Sequence, residues 1–249
     1  MRFNRRNFLL GSGIGALGIL GFSEQSDCLE IGNFTQKNNP IRDTINSCRP
    51  SNSLEALMQG NQRFVRAWQQ SNAARTTTER ASIMSSLWLD HCFLTSSVLE
   101  NEQAPWATVF TCADSRVSPE WIFNTAPSDL FVIRSAGNTA FDAAIASIEY
   151  SVTALKSPLI MVMGHSNCGA VKAARQSEPL PPLLEELIAP IRANIHPNTD
   201  LEQSIKENTW NTTQQLIKNS ELLASASKHG SLKIITSYFD IESGNVYII

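Results

Sequence analysis

Five short runs of continuously apolar residues constrain the fold of this chain most strongly, because they predict buried β-strands. Helical apolar spacing over 141–155 separates the second run from the third. Buried strands that alternate with helices indicate a mostly parallel central sheet flanked by helices, which is an α/β fold, and the last two runs can form an antiparallel edge. The runs cover 106–111, 130–134, 159–163, 232–238 and 245–249.

Two helices are predicted ahead of the first strand. Ser53 is a good N-cap, and apolar residues recur after it at helical spacing up to Gln70. A second helix is predicted over 81–99, where it would bury Cys92 in the core. The folded domain is therefore expected to cover 53–249.

Composition and charge exclude several classes of protein. The chain has 249 residues, of which 42% are hydrophobic and 17% charged, so it carries enough apolar surface to fold. Its net charge of −3 does not suit the basic surface of a nucleic-acid binder, and no nucleic-acid partner is expected. The body of the chain lacks an apolar run long enough to cross a bilayer, which excludes a multi-spanning membrane protein.

Residues 1–30 are predicted to be a targeting segment of the twin-arginine type. Arg5 and Arg6 precede an uncharged, mildly apolar stretch from Phe8 to Phe22. Because no clear A-x-A cleavage site follows, a cleaved signal peptide and a retained membrane tether are both open. Either form predicts export, to a bacterial periplasm or to a thylakoid lumen.

A linker is predicted between the targeting segment and the domain. Residues 31–52 are rich in Asn, Ser, Pro and Thr and show no apolar periodicity. Cys48 is interpreted as a residue of this linker.

Reactive side chains follow the first and third predicted strands, where each strand ends. Cys112 comes after the first strand, and His165 and Cys168 follow the third. In open α/β sheets, ligands bind beyond the carboxyl ends of the strands, so these side chains should meet if the two strands are neighbours. Two thiolates and one imidazole are a known ligand set for catalytic zinc, which lowers the pKa of a bound water to about 7. One Zn²⁺ per subunit is predicted.

A carboxylate and a guanidinium lie beside the first predicted ligand. Asp114 and Arg116 are two residues apart in the loop after Cys112. A free carboxylate can bind zinc and close the site, whereas an arginine that donates two parallel hydrogen bonds holds it away. The carboxylate can then accept a hydrogen bond from the attacking oxygen. A pair that only shapes the turn is the alternative.

These motifs and their surroundings resemble the β class of carbonic anhydrases. The resemblance is carried by Cys-Ala-Asp-Ser-Arg at 112–116, Phe-Val-Ile-Arg-Ser-Ala-Gly-Asn at 131–138, Ile-Glu-Tyr at 148–150 and Gly-His-Ser-Asn-Cys-Gly at 164–169. Weaker similarity begins at Gly60 and extends to the last strand. The resemblance implies that the three predicted ligands bind zinc and that the carboxylate–guanidinium pair is catalytic.

The resemblance also implies a substrate pocket and an oligomer. CO2 or bicarbonate is expected against Gln103, Phe131, Tyr150 and Gly169. Members of the family are homodimers or larger assemblies, in which an N-terminal helix crosses onto the partner and each subunit completes its neighbour's pocket. The helix that begins at Ser53 is the candidate for that arm.

The predicted function is zinc-dependent, reversible hydration of CO2 to bicarbonate and a proton. The same site chemistry also suits hydrolysis of a linear CO2 analogue such as carbonyl sulfide or carbon disulfide. A third interpretation is a non-catalytic, bicarbonate-binding subunit in which zinc only stabilises the fold. In that case Asp114 would be a fourth ligand and would not pair with Arg116.

Overall fold

A five-stranded sheet forms the centre of the fold in the computed structural model, which describes residues 40–89 and 91–249. The strand order is β2-β1-β3-β4-β5. The first four strands are parallel, and β5 runs antiparallel to β4. The predicted α/β class, mostly parallel sheet and antiparallel edge are therefore confirmed. The strands are β1 (Ala107–Cys112), β2 (Leu130–Ser135), β3 (Leu159–His165), β4 (Lys233–Phe239) and β5 (Val246–Ile248).

Helices cover both faces of this sheet. None of the helices in the described ranges combines the length and the apolar character that a bilayer crossing needs. The helices are α1 (Pro40–Ser47), α2 (Ser53–Ala73), α3 (Thr77–Ser85), α4 (Ser96–Asn101), α5 (Pro119–Ile122), α6 (Asp142–Thr153), α7 (Gly169–Ala174), α8 (Pro182–Asn194), α9 (Leu201–Asn219) and α10 (Glu221–Lys228).

The central strands β1 and β3 are buried along their whole length, because apolar layers pack against both sides. Side chains alternate across a strand, so neighbouring residues enter different layers. Val109 and Met161 pack in the layer that contains residues of α2. Phe110 and Ile160 pack in the opposite layer, with residues of α6, α9 and α10. Burial on both faces explains why these strands read as continuous apolar runs.

Helix α2 is fastened to the body of its own subunit by two adjacent residues. A Cβ atom on Gly60 would lie 1.8 Å from the carbonyl oxygen of Phe123, so glycine permits the close approach of this helix. The buried amide of Asn61 donates to the carbonyl groups of Ile122 and Gly244 and accepts from the backbone N–H of Val246. The helix proposed from sequence as a partner-crossing arm is therefore part of its own subunit's packing in this structure.

The helix predicted over 81–99 is wrong in its extent. Helix α3 ends at Ser85, a 3₁₀ turn covers 86–88, and regular helix resumes only at Ser96. The hydroxyl groups of Ser85 and Ser86 donate to backbone carbonyls three residues earlier, a local pairing that competes with continued helix. Cys92 lies in the exposed, non-helical segment that follows and is not a core residue.

The C-terminal part of the predicted linker is structured. Residues 40–47 form α1, with Ile45 buried. Cys48 forms a disulfide with Cys92, and Arg49 donates to the backbone carbonyl groups of Ala104 and Pro105. The asparagine, serine and proline content of this segment therefore did not predict its structure correctly, because the segment forms a helix and packs against the domain. The predicted targeting segment, and 31–39 of the predicted linker, lie outside the described residues.

Removing this disulfide is expected to lower the free energy of unfolding by about 2 to 4 kcal/mol. The two cysteines are 44 residues apart, and closing a loop of that length restricts the unfolded chain. Urea unfolding of a Cys48→Ser/Cys92→Ser variant measures the effect, and a phosphine reductant, which has no thiol to bind zinc, should destabilise the parent chain but not the variant. A variant as stable as the parent would contradict the stabilising role.

Candidate metal centre

The strand order places the candidate site at a point where the chain reverses direction across the sheet. Strand β1 lies between β2 and β3. The connection from β1 to β2 therefore goes to one side of β1, and the connection from β2 to β3 crosses back to the other side. Such switch points leave a crevice outside the carboxyl ends of the strands. Thr111 is paired with Met163, which brings the segment after β1 beside the end of β3. The two reactive clusters therefore lie together, as their positions after neighbouring strands predict.

The structure brings the three predicted ligands into one buried group. One ligand atom each from Cys112, His165 and Cys168 lies within 4.8 Å of the other two. The two Sγ atoms are 4.0 Å apart. All three residues are buried, and His165 is fully excluded from solvent. Two thiols and an imidazole at these separations match the preference of Zn²⁺ for sulfur and nitrogen ligands.

The hydrogen bonding of His165 leaves one ring nitrogen available for a metal. Nδ1 lies 3.0 Å from the carbonyl oxygen of Ser166, which can only accept, so Nδ1 carries the proton. The lone pair is then on Nε2, which is buried and has no hydrogen-bond partner in the described part of the chain. A buried nitrogen without a partner is unfavourable unless a cation occupies its lone pair. This arrangement therefore fits a metal ligand whose other nitrogen is held by the backbone.

The thiols of Cys112 and Cys168 are hydrogen-bonded to each other, with the donated proton on Cys168. The hydrogen bond from Cys168 lowers the pKa of Cys112 to about 4, and the backbone N–H of Gly137, 3.2 Å from its Sγ atom, acts in the same direction. The hydrogen bond with Cys112, followed by burial, raises the pKa of Cys168, against the backbone N–H groups of Val171 and Ala170. A divalent cation would replace this proton, because thiolates are its ligands.

The carboxylate next to this group is held by a guanidinium fork. Arg116 donates from Nε to Oδ1 of Asp114 at 2.9 Å and from Nη2 to Oδ2 at 2.7 Å. These hydrogen bonds hold the pKa of Asp114 well below its usual value. Oδ2 also lies 3.8 Å from Nε2 of His165, so the carboxylate lies beside the ring nitrogen that is available to bind a metal. Arg116 occupies both carboxylate oxygens and keeps them oriented.

A second arginine, which the sequence analysis did not assign to the site, holds the backbone of the loop. Arg134 donates from Nε to the carbonyl oxygen of Cys112 at 3.0 Å and from Nη2 to that of Asp114 at 2.6 Å. Arg134 is paired with Thr111 in the parallel ladder of β1 and β2. Because pairing registers are not visible in a single sequence, this contact had no sequence signal beyond the arginine at the end of a strand.

Gly169 adjoins the predicted metal ligands and faces open space. It follows Cys168 directly, as the first residue of α7, and it is exposed. A Cβ atom on this glycine would meet no other atom within 4 Å. The position leaves room beside the ligands, as a small substrate requires.

The other three predicted pocket residues lie at the opposite end of the strands. Phe131 is paired with Thr108, four residues before Cys112 on β1, a separation of about 13 Å along the strand. Tyr150 packs against Phe131, with ring centroids 6.1 Å apart, and is exposed. Gln103 precedes the amino end of β1 and is also exposed. One subunit therefore does not bring these three residues to its own metal ligands.

Comparisons with known proteins identify the family. A family model described as carbonic anhydrase matches residues 107–246, which is more than half of the chain. Carbonic anhydrase 2 of Mycobacterium tuberculosis is 40% identical over 125 residues, which cover 50% of this chain and 52% of the relative. The chain thus spans about half the length of the curated relatives that it matches first.

Solved structures show the same fold. The β-carbonic anhydrase of Coccomyxa, in complex with acetazolamide, matches with a TM-score of 0.53 at 27% identity, over 69% of this chain and 81% of that chain. One of the tetrameric β-carbonic anhydrases of Sordaria macrospora matches with a TM-score of 0.55 at 24% identity, over 61% of this chain and 83% of that chain, which compares the fold alone. This chain belongs to the carbonic anhydrase family and has the fold of its β class.

Proposed function

We propose that this protein catalyses the reversible hydration of CO2 to bicarbonate and a proton, with one zinc ion per subunit. The observation that carries the proposal is the buried group of Cys112, His165 and Cys168 beside a carboxylate that Arg116 holds in place. The family match is consistent with this activity.

Zinc bound by the three ligands would supply a water molecule that is activated for attack at neutral pH. Asp114 remains ionised because of its hydrogen bonds with Arg116, so it can accept a hydrogen bond from the attacking water. This hydrogen bond would orient a lone pair of the water oxygen toward the carbon of CO2. His165 donates to the carbonyl group of Ser166 and keeps its other nitrogen toward the ligand group. Bicarbonate leaves toward the open side at Gly169, and the proton passes to solvent.

The intact pair of Asp114 and Arg116 favours an enzyme over a non-catalytic subunit. A structural zinc site is closed by four protein ligands, which here would require the carboxylate to leave the arginine. The two hydrogen bonds at 2.9 and 2.7 Å instead keep it on the guanidinium. Among the described residues no contact distinguishes carbonyl sulfide or carbon disulfide from CO2, so competition between these substrates tests that alternative.

The activity is tested by stopped-flow measurement of CO2 hydration with the zinc-loaded protein. We expect a rate at least about 1,000-fold above that of a Cys112→Ser variant, because loss of one thiolate removes the metal centre. Cys112 is buried, and serine preserves its size, so the variant is a close structural control. A wild-type rate no higher than that of the variant would refute the proposed activity.

We further propose that each active pocket is shared between two subunits of a homodimer or larger oligomer. Gln103, Phe131 and Tyr150 lie at the amino ends of β1 and β2, whereas the ligands lie at the carboxyl ends. The ligands of one subunit and the three pocket residues can line the same pocket if the pocket residues come from a neighbouring copy of the chain. A two-fold arrangement then forms two equivalent pockets.

Mixed oligomers test the shared pocket. We expect both Cys112→Ser and Gln103→Ala/Tyr150→Ala to be poorly active alone, and their co-refolded mixture to recover about a quarter of wild-type activity. That fraction follows because half of randomly formed dimers are mixed, and each mixed dimer has one intact pocket of two. A mixture no more active than the mean of its parents would contradict the shared pocket.

Export by the twin-arginine route is proposed from the first 22 residues. The disulfide of Cys48 and Cys92 supports it, since stable disulfides are typical of oxidising compartments. Membrane tethering by the same segment is an open part of this proposal. Fractionation of cells that express the chain with and without Arg5→Lys/Arg6→Lys tests the route, and unchanged distribution would contradict it.

A further inference from the structure

A buried asparagine on α9 contacts the loop that supports the proposed zinc ligands. Asn208 is 1% exposed, yet both polar atoms of its amide form a hydrogen bond. Its Nδ2 atom donates to the carbonyl oxygen of Gly137 at 2.9 Å, and its Oδ1 atom accepts from Nδ2 of Asn194 at 3.1 Å. Burial of an amide is unfavourable without such bonds, so these two hydrogen bonds are what makes a buried asparagine acceptable at this position.

Gly137 connects this asparagine to a ligand. Its backbone N–H donates to the Sγ atom of Cys112 at 3.2 Å. Its φ angle is +65°, and a Cβ atom there would lie 2.5 Å from Cδ1 of Ile191. The glycine therefore occupies a left-handed conformation in a space that no larger residue fits. The direction of the Gly137 N–H depends on the contacts that fix the backbone of this glycine. Asn208 supplies one of them, because it donates a hydrogen bond to the Gly137 carbonyl oxygen.

The orientation of the Asn208 amide is itself fixed from the far side. Asn194, the last residue of α8, donates to Oδ1 of Asn208, so the NH2 group of Asn208 must face Gly137. Asn194 accepts in turn from Nε2 of Gln215 at 3.1 Å. The resulting chain of hydrogen bonds runs from the surface of α9 through Asn194, Asn208 and Gly137 to the sulfur atom of Cys112.

We propose that Asn208 is a positioning residue that aims the N–H of Gly137 at the Cys112 thiolate and thereby raises the affinity of the site for its metal. This inference rests on the proposed zinc site. Hydrogen bonds in the shell outside the ligands orient them, and losing one typically weakens metal binding by about 10- to 100-fold. Asn208 has no distinguishing context in the sequence, since it lies in a helical segment without a recognisable motif.

Metal affinity and the spectrum of the cobalt-substituted protein test the role. For Asn208→Leu we expect zinc affinity, measured by competition with a chelator, to fall about 10- to 100-fold, and the thiolate-to-cobalt charge-transfer band to shift. Thr213→Val is the matched control, because Thr213 is also buried on α9 but pairs with Thr236 and not with Gly137. We expect that control to bind zinc within about 2-fold of wild type.

Three results with the variants would overturn the proposal. The first is a folded Asn208→Leu variant with unchanged zinc affinity and spectrum, and the second is an equal loss in Thr213→Val, which would show a general effect of destabilising α9. If Asn208→Leu does not fold, Asn194→Ala replaces it, because that variant removes the hydrogen bond that orients the Asn208 amide while Asn208 itself is kept. Unchanged zinc affinity in Asn194→Ala is the third result. Wild-type zinc and cobalt binding report separately on the proposed function, and their absence would overturn both.

Discussion

Arg116→Lys is expected to lower kcat/KM for CO2 hydration about 100-fold while zinc remains at one ion per chain. Lysine keeps the positive charge but cannot donate two parallel hydrogen bonds to one carboxylate. Asp114, whose Oδ2 atom already lies 3.8 Å from Nε2 of His165, would then be free to turn toward the metal. The pKa of Asp114 should also rise toward its usual value, because hydrogen bonding with Arg116 is the main cause of its lowering.

Stopped-flow kinetics and metal analysis on the same preparations check this expectation. Arg192→Lys is the matched control, since Arg192 also pairs with a carboxylate, that of Glu185, at a site without metal ligands. It should retain the wild-type rate. Full activity in Arg116→Lys would show that the fork is dispensable, and loss of zinc in that variant would indicate that the arginine supports metal binding instead.

Zinc removal by a chelator is expected to lower the melting temperature by roughly 8 to 16 °C relative to protein in excess zinc. Binding to the folded state alone stabilises it by about 4 kcal/mol when free zinc exceeds Kd 1,000-fold. The three proposed ligands come from the last residues of β1 and β3 and from the residue before α7, so the unfolded chain offers no equivalent site.

Calorimetry with and without chelator, followed by zinc readdition, measures this dependence. Cys112→Ser is the control, and its melting temperature should respond little to either treatment. If zinc leaves the melting temperature of the wild-type chain unchanged, the group of Cys112, His165 and Cys168 does not bind the metal in the folded state.

The sheet and the grouping of Cys112, His165 and Cys168 could be predicted from sequence, because both depend on local patterns. A strand buried on both faces is continuously apolar, and Phe110 and Met161 report that burial directly. Cys112 and His165 stand at strand ends, where the geometry of parallel sheets concentrates ligands. To place the two clusters side by side, the prediction also required that β1 and β3 be neighbours in the sheet, and the structure shows that they are.

Features that depend on pairing between distant segments were not accessible. Cys48 and Cys92 each lack a local signal, and only the folded chain brings their Cα atoms to 5.7 Å. The hydrogen bond from Asn208 to Gly137 spans 71 residues and depends on the position of α9. The separation of Phe131 from the ligands follows from strand register, which apolar patterns do not specify.

X-ray absorption spectroscopy at the zinc edge tests the proposed metal centre most directly. We predict one zinc ion per chain, with two sulfur ligands, one imidazole nitrogen and one light-atom ligand. Cys112→Ser should hold little or no zinc, because loss of one thiolate removes the metal centre. A zinc environment without two sulfur ligands, or a chain purified in zinc-containing medium that holds no zinc, would contradict the assignment of Cys112, His165 and Cys168.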